Sequence, residues 1–336
     1  MALLDDIGAL ESMTLAPISV SSNAILVYQA VPDATRQMLW MDRAGKTLAA
    51  AKEPGEWGDP RLSPDGNRAL VAKLGPDAQN ADLWLLDTAG NLTRFSDTPI
   101  HEGSPVWSPD GSRVAFFQFG PGAGNFDLYT RSLHDSSRPE LLLKSESPKY
   151  PTDWSHDGRY LLFATPNPGT KSDVWALTLP DRRAGPVLGT VYNEGYATLS
   201  PDGKWLAFQS DESGKNEVYV QRFEGLEWSS KRHYHLSPGG GGHPRWRGDG
   251  KELYYITIGG RIMAVPVHPS VGEFEAGAPS MLFQTPSLPK KWNLYDVSPD
   301  GQRFLLNLPL ELTQPTSIAV VTNWSEKRKR PAESGQ

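Results

Sequence analysis

Six times this chain writes an Asp-Gly pair between two short apolar runs. The pairs are Asp65-Gly66, Asp110-Gly111, Asp157-Gly158, Asp202-Gly203, Asp249-Gly250 and Asp300-Gly301, spaced about 45 to 51 residues apart. Their settings are alike: "RLSPDG", "VWSPDG", "DWSHDG", "TLSPDG", "RWRGDG" and "DVSPDG". Proline presets φ at the first turn position, aspartate suits the next, and glycine accepts the left-handed conformation that closes a tight hairpin. A weaker copy, "SVSSNAILVY" from Ser19, carries Asn23-Ala24 where Asp-Gly stands elsewhere. Counting it gives seven units.

Each unit has one grammar. A short apolar segment leads into the turn, and a strand such as "RVAFFQF" or "KWLAFQS" follows. After a polar loop comes a third strand bearing an acid and an aromatic: Asp82 and Trp84, Asp127 and Tyr129, Asp173 and Trp175, Glu217 and Tyr219. A short fourth strand such as "PELLLKS" ends the unit. Four strands per unit, repeated seven times with hardly an amphipathic helix between, predict an all-β, seven-bladed β-propeller of four-stranded antiparallel blades. Blade starts are expected near residues 19, 57, 102, 149, 194, 242 and 293, within a single domain over 1–325 followed by a disordered charged tail at 326–336. Each blade buries its faces only against its neighbours, so the ring must close. The last unit runs out one strand short, and "ESMTLAP" (Glu11 to Pro17) alternates like a short strand. It is expected to reach back and supply the outer strand of the last blade.

The units resemble the TolB-like, WD40-like (PD40) propeller repeat, written W-S-P-D-G and then an apolar run. The match rests on Trp107 to Gly111, Leu199 to Gly203 and the partial Trp154-Ser155-His156-Asp157-Gly158. Phrases such as "PTDWSHDGRYLLF", "SDESGKNEVYVQRF" and "HPRWRGDGKELYY" are similar to the propeller half of bacterial serine/threonine kinase-type proteins and their stand-alone relatives. The resemblance implies a sensor or interaction domain. The kinase parts themselves are missing: no G-x-G-x-x-G, Val-Ala-Ile-Lys, His-Arg-Asp or Asp-Phe-Gly occurs. Neither does the G-x-S-x-G elbow of a hydrolase domain.

Composition narrows the partners. The net charge is −6, and the one basic run, "KRKR", lies in the polar tail, so nucleic acid is not expected. With no cysteine, disulfides and thiolate metal sites are excluded. No run is long enough to span a bilayer. No basic segment precedes the apolar residues of the N-terminus, so no signal peptide is read. The chain as written is expected in the cytoplasm, or outside it if it is part of a larger protein. A monomer without cofactor or metal is expected. His233 and His235 share a strand face but form only half a zinc set. The "DESGKNE" loop (Asp211 to Glu217) lacks the length of a calcium loop.

Residues just ahead of each turn-bearing segment differ from blade to blade. They are Trp57, Glu102, Lys149, Tyr150, Asn193, Glu194, His243, Trp292 and Asn293. Placed at the channel mouth, they suit a polar ligand, so a non-enzymatic module binding a protein, peptide or glycan is expected. The alternative is a hydrolase or lyase in the central channel, with Glu102, Glu194 and His243 as candidate acid–base groups. A third possibility is the detached sensor part of a kinase-type receptor.

Overall fold

The computed structural model describes residues 18–20, 25–29, 36–75, 80–119, 126–134, 138–144, 146–226, 233–268, 272–285, 295–310 and 318–322. The chain divides into two compact units, one formed by Arg36–Leu308 and one by Met1–Thr35 with Pro309–Gln336.

The larger unit is a propeller of six blades. Blade one begins with the inner strand Trp57–Leu62, blade two with His101–Trp107, blade three with Tyr150–Trp154 and blade four with Glu194–Leu199. Blade five begins with Gly242–Trp246 and blade six with Tyr295–Val297. Blades one to four continue through three further antiparallel strands in sequence order. In blade five both Glu275–Ala276 and Ser280–Gln284 pair with the third strand, Arg261–His268. The inner strands pack in a cycle, each against the next, and Tyr295–Val297 packs back on Trp57–Leu62. Six apolar clusters fill the six seams. At the seam of blades one and two, for example, Leu70 and Leu83 meet Trp107, Val114 and Phe116. At the seam that closes the ring, Trp40 and Leu305 meet Trp57, Leu62 and Val71.

The expected seven blades are therefore six. The two units at the ends of the repeat were each half a blade. Blade six takes its inner pair, Tyr295–Val297 and Arg303–Pro309, from the C-terminal side and its outer pair, Arg36–Asp42 and Thr47–Ala50, from the N-terminal side. Buried Arg36 fastens the join: its Nε donates to Asn307 Oδ1 (2.9 Å) and its guanidinium to Asn307 O (2.8 Å). The ring is thus closed by two N-terminal strands rather than one, and they follow the weak "SVSSNAILVY" copy instead of preceding it. "ESMTLAP" lies outside the described residues. The strands on either side of Asn23-Ala24 belong to the smaller unit. There Ile25–Gln29 pairs antiparallel with both Ile18–Val20 and Ile318–Thr322.

The repeated turn is a closed hydrogen-bonded unit. Ser108 Oγ donates to Asp110 Oδ1 (2.5 Å) and accepts the N–H of Arg113 (2.9 Å), while Asp110 also accepts the N–H of Ser112 (3.0 Å). These bonds hold the Asp110 carboxyl down at about 2. Gly111 closes the turn at φ 69°. The same serine–aspartate bond recurs at Ser63, Ser155, Ser200 and Ser298. In blade five Arg247 replaces the serine and grips Asp249 through both Nε and a terminal nitrogen (2.6 and 2.8 Å). The aspartates of the repeat are spent on the turn.

Candidate functional site

In blades one to five the inner strand bulges just before the turn, whereas Tyr295–Val297 of blade six pairs without a slip. The register slips between Gly58 and Arg61, between Gly195 and Thr198, and between Gly242 and Arg245. Ser104, Tyr196 and His243 occupy such bulges with left-handed φ of 48°, 52° and 55°. Non-glycine residues hold that conformation only where their surroundings impose it, and bulges of this kind re-aim side chains. The residue four before each turn aspartate, which follows the bulge in blades one to five, forms one tier of a cavity of about 570 Å³.

Three tiers of six build this cavity, one residue per blade. The floor is Arg61, Val106, Asp153, Thr198, Arg245 and Asp296. The wall is Leu62, Trp107, Trp154, Leu199, Trp246 and Val297. The rim is Pro64, Pro109, His156, Pro201, Gly248 and Pro299, the second residue of each turn motif. The turns that define the repeat thus surround the cavity mouth.

The floor carries two arginines and two aspartates, and the seams use them differently. Asp296 accepts the N–H of Leu62 in the next blade (2.7 Å), and its Oδ1 lies 3.0 Å from Arg245 Nε, an ion contact without hydrogen-bond alignment. Asp153 likewise accepts the N–H of Leu199 in its next blade (2.7 Å) and the Thr198 hydroxyl (3.0 Å). At two seams a tryptophan of the next blade does the work instead, whereas Trp154 Nε1 donates to Gly158 O within its own blade (3.3 Å). Trp107 Nε1 donates to Arg61 O (2.9 Å) and Trp246 Nε1 to Thr198 O (3.3 Å). Desolvation at the base of the cavity pushes the Asp153 carboxyl up although an edge of it stays exposed, against the pull of Arg61, the Leu199 N–H, Thr198 and Arg245. Arg61, Asp153 and Arg245 belong to blades one, three and five, so this coupling runs across the channel.

Blade three departs from its neighbours. Asp153 and Trp154 keep part of their surface exposed, whereas Arg61, Trp107, Arg245 and Trp246 are buried. His156, exposed, replaces the rim proline. An acid, an indole and an imidazole are thereby presented on one strip of the cavity.

The residues expected at the mouth stand toward the other end of the inner strands. Trp57 is buried in the seam of blades six and one, with Lys73 Nζ 5.0 Å from its ring. Fully buried Glu102 accepts from Gln118 Nε2 (2.6 Å) and Thr98 Oγ1 (3.2 Å), and burial raises its pKa. Lys149 is buried too; it donates to Ser147 O (2.9 Å), lies 3.6 Å from Asp127 Oδ1, and is pushed down by desolvation. Tyr150 joins Phe117 and Phe126 in an aromatic cluster. The Asn193 N–H donates to Asp211 Oδ1 (2.8 Å). Glu194 is buried against the Thr190 hydroxyl and N–H, with its pKa raised by burial. His243 is buried, its ring 3.9 Å from that of Tyr196 in the neighbouring blade. Trp292 and Asn293 lie outside the described residues. The contacts of these side chains lie within their own blade or at the seam beside it, while Trp57 Nε1 and Glu102 Oε2 are buried without a hydrogen-bond partner among the described residues.

Histidine–carboxylate pairs do form, but at the outer strand of blade four. His233 Nε2 lies 3.0 Å from Glu212 Oε2, and His235 Nε2 lies 2.8 Å from Glu217 Oε2. Among the described residues no cluster of three or more His, Cys, Asp or Glu could hold a metal ion, and no helix is long and apolar enough to cross a membrane. The sequence reading missed the floor tier. Its signal was the position four before each turn aspartate, where Arg, Val, Asp, Thr, Arg and Asp alternate, and the lone histidine in "SHDG".

No curated protein matches the sequence. Among solved structures, a TolB candidate from Agrobacterium tumefaciens superposes with a TM-score of 0.65 at 18% identity, over 83% of this chain and 99% of that one. TolB from Acinetobacter baumannii gives 0.51 at 15% identity, over 90% of this chain and 80% of that one. An oligogalacturonate lyase from Vibrio parahaemolyticus gives 0.50 at 13% identity, over 92% and 82%. At these identities the likeness concerns the fold. A family model described as the TolB beta propeller domain, PD40, matches residues 96–289, more than half of the chain. Six blades strung on this repeated turn place the chain in the family of TolB β-propeller domains.

Proposed function

We propose that this propeller is a non-enzymatic binding or sensing module that receives part of a protein, peptide or glycan ligand in the cavity ringed by its turns. The observation that carries the reading is the three-tiered cavity itself. Its volume suits a ligand segment, its floor is polar, and one blade departs from the repeat there with three accessible groups. Strained bulges beneath it support the same reading, since backbone strain collects where a fold serves a ligand. A sensor part of a kinase-type receptor would use the same cavity.

The enzymatic reading has one observation in its favour. Asp153 is a carboxyl with a raised pKa in a cleft, the kind of group a general acid needs. One experiment addresses both. A library of peptides and oligosaccharides is screened by thermal shift, and each hit is analysed by mass spectrometry after incubation. Binding that His156→Trp weakens at least tenfold, and that Leu48→Trp on the exposed outer strand of blade six leaves alone, supports the cavity. Hits indifferent to His156→Trp overturn it. Cleaved or eliminated products would replace the binding module with an enzyme.

A further inference from the structure

The cavity's chemistry discriminates among ligand classes, and this step rests on the cavity being the binding site. Its floor is balanced in charge, two arginines against two aspartates. One of these pairs is spent internally. Arg245 lies against Asp296 and donates to Pro244 O (2.9 Å), and Asp296 also accepts Leu62 N–H. Asp153 is different. Both hydrogen bonds it accepts fall on Oδ2, and its Oδ1 accepts none among the described residues. It is also the one charged floor residue that is not buried.

A ligand's ammonium or guanidinium reaching Asp153 would come under the field of Arg61 and Arg245, both of which act on that carboxyl. An anionic end reaching for the arginines would face Asp153 and Asp296. A hydroxyl meets neither penalty, because it donates to a carboxylate oxygen and accepts from a guanidinium while carrying no charge. The wall adds a second criterion. Trp154 keeps part of its surface exposed beside Asp153, next to a rim built largely of proline. A partly exposed indole offers a flat apolar platform, and its Nε1 is committed to Gly158 O (3.3 Å). At about 30 Å³ per water-sized group, the cavity holds roughly twenty non-hydrogen atoms, the size of a disaccharide.

We infer that the ligand end seated in this cavity is a neutral sugar of one to two rings, stacked on Trp154 and donating a hydroxyl to Asp153 Oδ1. Peptides with charged termini or side chains are the class it disfavours.

The test is titration calorimetry with a panel of neutral disaccharides, including maltose, cellobiose, lactose and N,N′-diacetylchitobiose, beside trilysine and triglutamate. At least one disaccharide should bind, and both peptides should bind tenfold or more weakly. Asp153→Asn keeps only one acceptor oxygen, which the Leu199 N–H and the Thr198 hydroxyl claim, so an amide NH2 replaces Oδ1 before the ligand and the sugar's affinity should fall at least fivefold. Trp154→Leu should lower it at least tenfold, and His156→Trp should block it. Circular dichroism melts guard against misfolding, and Asp153→Asn remains informative if Trp154→Leu melts early. If trilysine or triglutamate binds the cavity and no sugar does, the ligand class is wrong and the binding site stands. If sugars bind but ignore His156→Trp, or nothing in the panel binds, the sugar assignment is overturned; the first result also removes the cavity as the site.

Discussion

Arg245 Nε sits 3.0 Å from Asp296 Oδ1, with both side chains buried and each supplied by a different blade. Removing one member of a buried pair strands the other charge, at a cost of about 3–5 kcal/mol. Arg245→Met should therefore lower stability by that order in urea titration. The double variant Arg245→Met with Asp296→Asn, which also removes the stranded charge and keeps an acceptor for Leu62 N–H, should recover part of the loss. Equal stability of the single and double variants would show that the two residues are not coupled.

The turn glycines allow a controlled comparison. Gly203 and Gly301 have nearly the same backbone, φ 69° and 68°. A Cβ on Gly203 meets nothing within 4 Å, whereas one on Gly301 falls 2.2 Å from the hydroxyl of buried Tyr254. Gly203→Ala should cost only the left-handed strain, about 1–2 kcal/mol. Gly301→Ala should cost clearly more, because Tyr254 is held by Glu252 (2.6 Å) and Arg43 (3.0 Å). Equal melting temperatures for the two variants would contradict the packing around Gly301.

Glu102 predicts a pH dependence. Burial raises its carboxyl above the usual 4.5, while Ser96, Gln118 and Thr98 pull it back only partly. The folded protein then binds this proton more tightly than the unfolded chain does. Its contribution is present in full below the unfolded value and is lost as pH rises through the folded one. Glu102→Gln cannot ionise, so its stability should fall less steeply than the wild type's as pH is raised from about 4.5 toward neutrality. Parallel stability–pH curves would show that Glu102 does not hold its proton in the fold.

Chain ends provide a fourth test. A protein trimmed to residues 36–310 keeps every strand of the six blades and should retain a cooperative melt. A protein lacking residues 1–50 loses both outer strands of blade six and exposes the edge of Arg303–Pro309. It should aggregate or melt far lower in circular dichroism. Similar melts for the two would mean that blade six does not close the ring.

Much of this architecture was legible because one turn was written six times, and six is the number of blades. The error arose at the ends. Half-blades at the two termini each look like a unit, and no local pattern says that Arg36–Asp42 pairs in the blade begun by Tyr295. That pairing is a long-range consequence of ring closure. The candidate site was less legible for a different reason. Glu102, Lys149 and Glu194 are polar and vary between blades, the marks of ligand contacts, yet burial between blades produces the same marks. What separates them from Asp153 and His156 is a backbone bulge in the inner strand, at Thr152 in blade three, which shifts the side chains that follow and which alternation alone does not forecast.

The shared sixth blade also sets a schedule for synthesis. Its outer strands, complete at Ala50, leave the ribosome before any residue of the inner pair that begins at Tyr295 has been made. At roughly 5–20 residues per second, they wait on the order of ten to fifty seconds for their partners. Throughout that interval five blades can assemble as an open arc with two unsealed flanks, and the nascent chain must be kept from pairing with its neighbours until the last strands arrive.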